Sequence, residues 1–303
     1  MNQPIDMSSQ PIYGLLVLDK PGGMTSRAAV DRALRWLPRG TKVGHTGTLD
    51  PLATGVLVLC LGAATRLTEY VQDMAKTYRA GVRLGARSDT DDADGTITPS
   101  EVAAPPDRAT VEETLRRFVG AIEQVPPAYS AAKVSGRRAY DLARRGREVA
   151  LGARRVRVYG IDVLAYEYPQ LDIEVRCGKG TYIRSLARDL GERLVCGGYI
   201  ETLRRTRVGP FRADDAVPLD AGPDAALVKV LPVSAAVSEL PRVALDDATV
   251  ARLRQGQEVA AQQSSASGQV AVFDARGGLV AVARLDGRLL RPEKVMPTSV
   301  GET

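Results

Sequence analysis

Residues 44–55 read GHTGTLDPLATG, and the apolar run VLVLCL follows at once. Three glycines in so short a stretch lift the steric ban on positive φ and let other backbone come close, which describes a folded loop and not a regular element. Pro51 biases Asp50 away from the α region and removes a backbone donor just after it. The apolar run has the length and residue types of a buried strand. Asp50 is therefore a carboxylate on a stiff loop at the edge of a core, and the chain's single histidine, His45, stands in the same loop. Composition alone also allows a plain polar turn, with Asp50 bonded to its own backbone.

The 303 residues are enough for one large domain and a small one. A hydrophobic content of 44% and a charged content of 25% are ordinary for a globular protein. Residues 1–11 are polar and resemble neither a signal nor a transit peptide. No apolar run approaches the ~20 residues that cross a bilayer. Cys60, Cys177 and Cys196 are odd in number and form no CxxC pair; Cys60 lies inside an apolar run, where a reduced, packed thiol is expected. With one histidine and scattered cysteines, a zinc site lacks ligands. The expectation is a cytoplasmic monomer without a metal. The net charge is +5, and residues 133–157 carry nine Lys or Arg against Asp141 and Glu148, so one segment holds the basic excess.

Residues 13–20 read as a buried strand that Pro21, Gly22 and Gly23 end. Thr25 or Ser26 can cap a helix with Val30, Leu34 and Leu37 on one face, stopped at Pro38 and Gly40. Leu67, Tyr70, Val71 and Met74 share one side of a further helical stretch. KTYRAGVRLG, residues 76–85, alternates and places Tyr78, Ala80, Val82 and Leu84 on one face. Thr110 with Glu113 makes a capping box before a helix with Val111, Leu115 and Phe118 on one face. Residues 156–165 and 171–177 look like paired strands. CGKGTYIR then leads into a helix carrying Ile183, Leu186, Ala187, Leu190 and Leu194. The composition shifts to Ala, Pro and Asp over residues 218–237, which marks a boundary. Beyond it, a short helix and a hairpin around Arg276, Gly277 and Gly278 have apolar residues for a separate small core.

Two tempting motifs fail. SDTDDADG, residues 88–95, is acidic enough for a calcium loop, but its first ligand would be Thr90 and Pro99 interrupts the helix that should follow. GKGT lacks the earlier glycine spacing of a phosphate-binding P-loop.

GHTGTLDPLATGVL resembles the signature of the TruB-type tRNA pseudouridine synthases. LLVLDKPGGMTS, KTYRAGVRLG and CGKGTYIRSLARDLG are similar to further motifs of that family, in the same order, and PPAYSAAK and ETLRRTRVG agree with it. The resemblance covers residues from about 12 to 297. It implies that Asp50 is the catalytic nucleophile, that Tyr78 stacks on the target uracil, and that Arg184 pairs with Asp50 beside Tyr182. Leu203 would line the uracil pocket. Lys20 would pack beside the catalytic loop, and Asp92 would belong to an acidic stretch holding the active-site loops; both are counted with the substrate-binding set. His45 would be a wedge in the RNA stack, a general base or a structural residue. An inserted arm, residues 124–155, would clamp RNA through Lys133, Arg137, Arg138, Arg144, Arg145 and Arg147. Tyr129 and Tyr140 interleave with these, which suits phosphate contact with stacking, although charge runs are usually solvated faces.

The implied fold is α+β: a catalytic domain over residues 12–237 on a mixed, mainly antiparallel sheet with flanking helices, then a β-rich PUA-like RNA-binding domain over 238–303. The implied reaction converts uridine to pseudouridine at position 55 in the T loop of tRNA. The base leaves C1′, rotates and rejoins through C5, so nothing is added or lost and no cofactor is needed. The carboxylate attacks C1′ or C6 and must stay ionised where water is excluded. A close arginine favours that state, and its planar fork can hold a carboxylate by two bonds. Flipping the base out costs a few kcal/mol, roughly, which aromatic stacking can offset. A nucleoside or glycoside hydrolase is a rival reading, but it calls for a second carboxylate. A non-catalytic tRNA-binding or folding factor is another, although such a chain should have lost Asp50 or Arg184.

Overall fold

The apolar run behind the glycine loop forms the strand Thr54–Leu61, buried from Gly55 onward. It pairs antiparallel with Gly14–Lys20 from Gly55 to Leu61. The protein is described by a computed structural model over residues 12–130, 133–134, 137–138, 151–261 and 267–298. These two strands belong to a ten-stranded sheet that continues through Gly198–Val208, Lys76–Leu84, Gln170–Cys177, Arg154–Glu167 and Gly120–Gln124. Neighbours along it are antiparallel except at Val217–Pro218 and at the join between Thr54–Leu61 and Gly198–Val208. The fold is α+β, with a mixed and mainly antiparallel sheet.

The parallel join places the site. It pairs Thr54 with Arg204 and Gly55 with Arg205. Gly55 has φ 100°, and a Cβ there would fall 2.2 Å from the Arg205 carbonyl oxygen. Only glycine lets the strand leave the loop this close to its neighbour.

Each sheet face has its own core. On one face, Leu16, Leu18, Ala80, Val82 and Ile173 pack against the helices Ser26–Ala33, Arg108–Arg116 and Ile183–Arg193. The Thr25 hydroxyl caps the first helix by accepting from the Ala28 N–H at 3.1 Å. At the second, the expected Thr110–Glu113 capping box gives way to Asp107, whose carboxylate accepts from the Thr110 N–H at 2.8 Å. Thr110 already lies inside that helix, and Glu113 pairs with Arg116 instead.

The other face carries Leu15, Val17, Val56 and Val58 under Leu67 and Val71. That cluster runs on into a five-stranded C-terminal sheet through Ala271, Phe273, Val282 and Met296. The strand Gly268–Phe273 alternates, sending Val270 and Val272 to a C-terminal core and Ala271 and Phe273 to the cluster shared with the ten-stranded sheet. The separate small core expected from the sequence exists, but it covers one face of that sheet, and the other face is buried against the ten-stranded sheet. The Lys294 ammonium donates to the Arg66 carbonyl at 2.7 Å, and Arg66 Nη1 donates to the Val295 carbonyl at 2.6 Å, tying the two units further. No helix among the described residues is long and apolar enough to cross a membrane.

Candidate active site

The glycine loop is fixed nearly residue by residue. Thr46 N–H donates to the Val58 carbonyl at 3.0 Å, and Ala53 N–H closes a turn on the Asp50 carbonyl at 3.1 Å. The Ser26 hydroxyl donates to the Leu49 carbonyl at 2.9 Å and accepts from the Leu49 N–H at 2.8 Å. Arg205 Nη2 reaches the Gly47 carbonyl at 3.1 Å. Gly23 N–H and the Lys20 ammonium both donate to the Pro51 carbonyl, at 2.9 and 3.4 Å. Asp50 therefore stands on backbone whose polar groups are satisfied on both sides of it, a preorganised position.

Arg184 approaches from the first turn of the helix Ile183–Arg193. Its Nε stands 3.0 Å from Asp50 Oδ2, and its Nη1 stands 3.2 Å from Asp92 Oδ2. Nη1 also donates to the Thr90 carbonyl and Nη2 to the Tyr129 carbonyl, each at 2.9 Å. The two-bond grip on Asp50 expected from the sequence is absent. The fork is committed elsewhere, and the Nε–H contact with Asp50 is a charge contact without hydrogen-bond alignment. Arg184 and Asp92 are 4% and 5% exposed in their side chains, whereas Asp50 is 34% exposed. The carboxylate that is open to a ligand is Asp50. Burial pushes its pKa above the ordinary carboxylate value, Arg184 pulls it back, Asp92 pushes it up again, and Lys20 lowers it.

Asp50 and Arg184 form a wall between two cavities. The first, about 440 Å³, is lined by Asp50, Tyr78, Tyr182, Arg184 and Leu203, which the sequence singled out, together with Lys76, Thr181 and Arg205. Its volume is that of a small-ligand site. Tyr78 shares a face with Ala80 and Val82, as the alternation predicts, and burial raises its pKa. Tyr182 N-caps the helix, and the buried Gln124 side chain clasps its backbone, accepting from the N–H at 2.8 Å and donating to the carbonyl at 3.0 Å.

The second cavity, about 550 Å³, lies across the pair and is lined by His45, Arg27, Asp92, Asp94 and Tyr129. His45 ends the strand Val43–His45 and borders this side, not the side of Tyr78. Asp92 Oδ1 accepts from the Thr90 hydroxyl at 2.6 Å and the Asp94 N–H at 3.2 Å. The acidic stretch thus folds around Arg184, and Asp91 pairs with Arg188 at 2.8 Å. Lys20 borders neither cavity. It is fully buried, donates to the Pro21 and Met24 carbonyls at 2.8 and 2.7 Å, and burial lowers its pKa to about 8. That placement makes it a brace of the loop, not a substrate contact.

The basic arm enters this picture only at its stem. The backbone of Lys133 and Val134 pairs antiparallel with that of Arg137 and Arg138. Arg144, Arg145 and Arg147 lie outside the described residues. Sequence reasoning missed Ser26 as a clamp, Gln124, Lys76 and Arg205. Period two would have found the last pair, since Lys76 precedes Tyr78 by two positions and Arg205 follows Leu203 by two. Ser26 and Gln124 act on distant backbone, which no local pattern reports.

Known proteins match this chain over nearly its whole length. Residues 35–183 match the TruB family pseudouridylate synthase N-terminal domain. Residues 184–229 match the tRNA pseudouridylate synthase B C-terminal domain, and residues 241–296 the pseudouridine synthase II TruB C-terminal region. The tRNA pseudouridine synthase B of Xanthomonas campestris pv. campestris (strain B100) is 44% identical over 289 residues, covering 92% of this chain and 93% of its own. That of Azoarcus sp. (strain BH72) is 42% identical over 295 residues, covering 96% and 97%. A chain in the structure of an H/ACA RNP bound to a substrate RNA containing 2'-deoxyuridine superposes with a TM-score of 0.74 at 27% identity, over 98% of this chain and 89% of that one. The chain belongs to the TruB family of pseudouridylate synthases.

Proposed function

We propose that the protein isomerises uridine to pseudouridine in tRNA, at position 55 of the T loop, with Asp50 as the nucleophile. The observation that carries this is the Asp50–Arg184 pair in the wall of a cavity that also presents Tyr78 and Leu203. The relatives' names, tRNA pseudouridine synthase B, point to tRNA as the substrate.

The target base, flipped out of its stack, enters this cavity and lies against Tyr78 and Leu203, where stacking offsets the cost of leaving the RNA. Asp50 attacks at C1′ or at C6, the glycosidic bond breaks, the ring rotates, and a bond from C5 to C1′ replaces the one from N1. Arg184 keeps the Asp50 carboxylate charged until attack. Tyr182 closes the side of the cavity under the hold of Gln124. Asp50 is the only carboxylate among the described residues lining this cavity, which disfavours a two-carboxylate hydrolase.

The catalytic unit is assigned to residues 12–237, with the arm at 124–155 gripping the T arm, and residues 238–303 to a PUA-like RNA-binding unit. Reversing charge at Arg144, Arg145 and Arg147 should weaken tRNA binding and flatten its salt dependence, by about 0.7 to 0.9 in log–log slope per lost phosphate contact. An unchanged slope would make the arm a solvated face.

The direct test offers the wild-type protein a T-arm stem-loop and follows the target uridine by carbodiimide labelling and mass. The expected product is labelled and unchanged in mass. Release of free uracil would mark a hydrolase instead, and tight binding without conversion a folding factor.

A further inference from the structure

The buried charges around the first cavity do not balance. The buried acids Asp91 and Asp92 each face an arginine, Arg188 and Arg184. Lys76 and Arg205 are 7% and 2% exposed, and among the described residues neither forms a salt bridge. Their donors end on backbone carbonyls and, for Arg205, also on the Tyr78 hydroxyl, none of them a carboxylate. The Lys76 ammonium meets the carbonyls of Gln72 and Met74, and Arg205 Nε and Nη2 meet those of Val56 and Gly47. Asp73, the acid that faces Lys76, is mostly exposed and is held by Lys179 at 2.8 Å.

Both cations line the cavity, on the sheet face of Tyr78 and Leu203. Register puts Arg205 opposite Tyr78, and Lys76 two residues along the same strand. Burial, and then Arg205, lowers the Lys76 pKa to about 8. Two buried cations side by side are costly unless an anion meets them.

We propose that Lys76 and Arg205 stabilise the negative charge that develops on the uracil ring during isomerisation, an inference that rests on the uridine reading above. When the C1′–N1 bond breaks, both its electrons stay on the base, and the detached ring is an anion with its charge on O2 and O4. Attack at C6 instead leaves an enolate at O4. By either route the carbonyl oxygens become anionic. The ring is neutral again once C5 bonds to C1′, the C5 proton leaves and N1 takes one up, so no atom is gained or lost overall. Fixed cations beside those oxygens act as an oxyanion hole does, and they hold the free base in place while it turns.

The test measures single-turnover rates of wild type, Lys76→Met and Lys76→Arg on a T-arm stem-loop, with RNA affinity and melting temperature measured separately. Each runs on uridine and on 5-fluorouridine at the target position, with loss of the starting nucleoside as the readout. Fluorine lets the base carry negative charge more easily and, standing where the C5 proton would leave, halts the reaction once the C5–C1′ bond has formed. Lys76→Met is expected to fold and bind RNA as wild type does. It should convert uridine about 10²-fold more slowly, the scale of losing one oxyanion donor, and lose clearly less on 5-fluorouridine. Lys76→Arg should recover much of the uridine rate. Lys76→Gln, which keeps donors for the Gln72 and Met74 carbonyls, gives the same comparison if Met destabilises the strand. An unchanged uridine rate, or equal losses on the two bases, would overturn the proposal. A wild-type protein that converts no uridine would overturn the functional reading itself.

Discussion

Arg184 Nε stands 3.0 Å from Asp50 Oδ2 while Nη1 of the same guanidinium stands 3.2 Å from Asp92 Oδ2. One buried cation thus serves two carboxylates, with its fork on Asp92 and two backbone carbonyls and its Nε turned to Asp50. Asp92 and the carbonyls position the arginine, and the arginine in turn opposes the rise that burial gives the Asp50 pKa.

This geometry ranks the substitutions of Arg184. Lys keeps the charge but cannot meet Thr90, Tyr129 and Asp92 together; Met removes the charge altogether. Activity should fall from wild type to Lys to Met, and both variants should lose stability. For Met the stability loss should be about 3 kcal/mol or more, as Asp92 is left buried without its partner. The Asp50 pKa is already raised by burial, and losing Arg184 raises it further. On the proposed function ionised Asp50 is the active form, so activity should fall as pH drops through that pKa, and the Met variant should lose activity at higher pH than wild type. Rate against pH, beside thermal melts, checks both points; a Met profile that overlays wild type would separate Arg184 from the charge of Asp50.

Much of this site was legible beforehand. The loop and its aspartate could be read because glycine density and Pro51 mark them, and alternation put Tyr78 on a buried row. The parts given to Tyr78, Tyr182, Arg184 and Leu203 came only from the resemblance of the later motifs to the TruB family. What could not be read is how distant chain closes on the loop. Ser26 sits in an ordinary helix start, and its hydroxyl could as well have capped that helix; only the tertiary approach of Leu49 takes it away from that role. The commitment of the Arg184 fork to carbonyls is likewise invisible, because any residue supplies a carbonyl. The two-faced burial of the strand Gly268–Phe273 does show in the sequence, as apolar residues at every position from 270 to 273, but a hairpin reading leaves open what covers the second face.

Ser26→Ala tests the clamp. It leaves the Leu49 N–H and carbonyl buried without partners, which should cost about 1 to 3 kcal/mol. The looser loop should lower the single-turnover rate with little change in RNA affinity. A variant as fast and as stable as wild type would show that the loop holds its shape without Ser26.

Removing the chain after residue 237 would strip Ala271, Phe273, Val282 and Met296 from the core they share with Val56, Val58, Leu67 and Val71. The shortened protein is expected to aggregate or melt well below wild type, because a large apolar face is left open. Replacing exposed members of that face with polar residues should restore solubility. A truncated chain that stays monomeric and equally stable by sedimentation and melting would show that the shared cluster contributes little.

The account turns on Asp50 as the attacking group, and a single-turnover comparison of wild type with Asp50→Asn reaches that claim most directly. Both proteins are mixed in excess with a T-arm stem-loop, RNA binding is measured on the same samples, and the target uridine is followed over time. Asn keeps the size and leaves Arg184 paired with Asp92, so binding should survive. Wild type should form pseudouridine, and Asp50→Asn should form none. Pseudouridine accumulating with Asp50→Asn at a substantial fraction of the wild-type rate would contradict the account and move the nucleophile elsewhere.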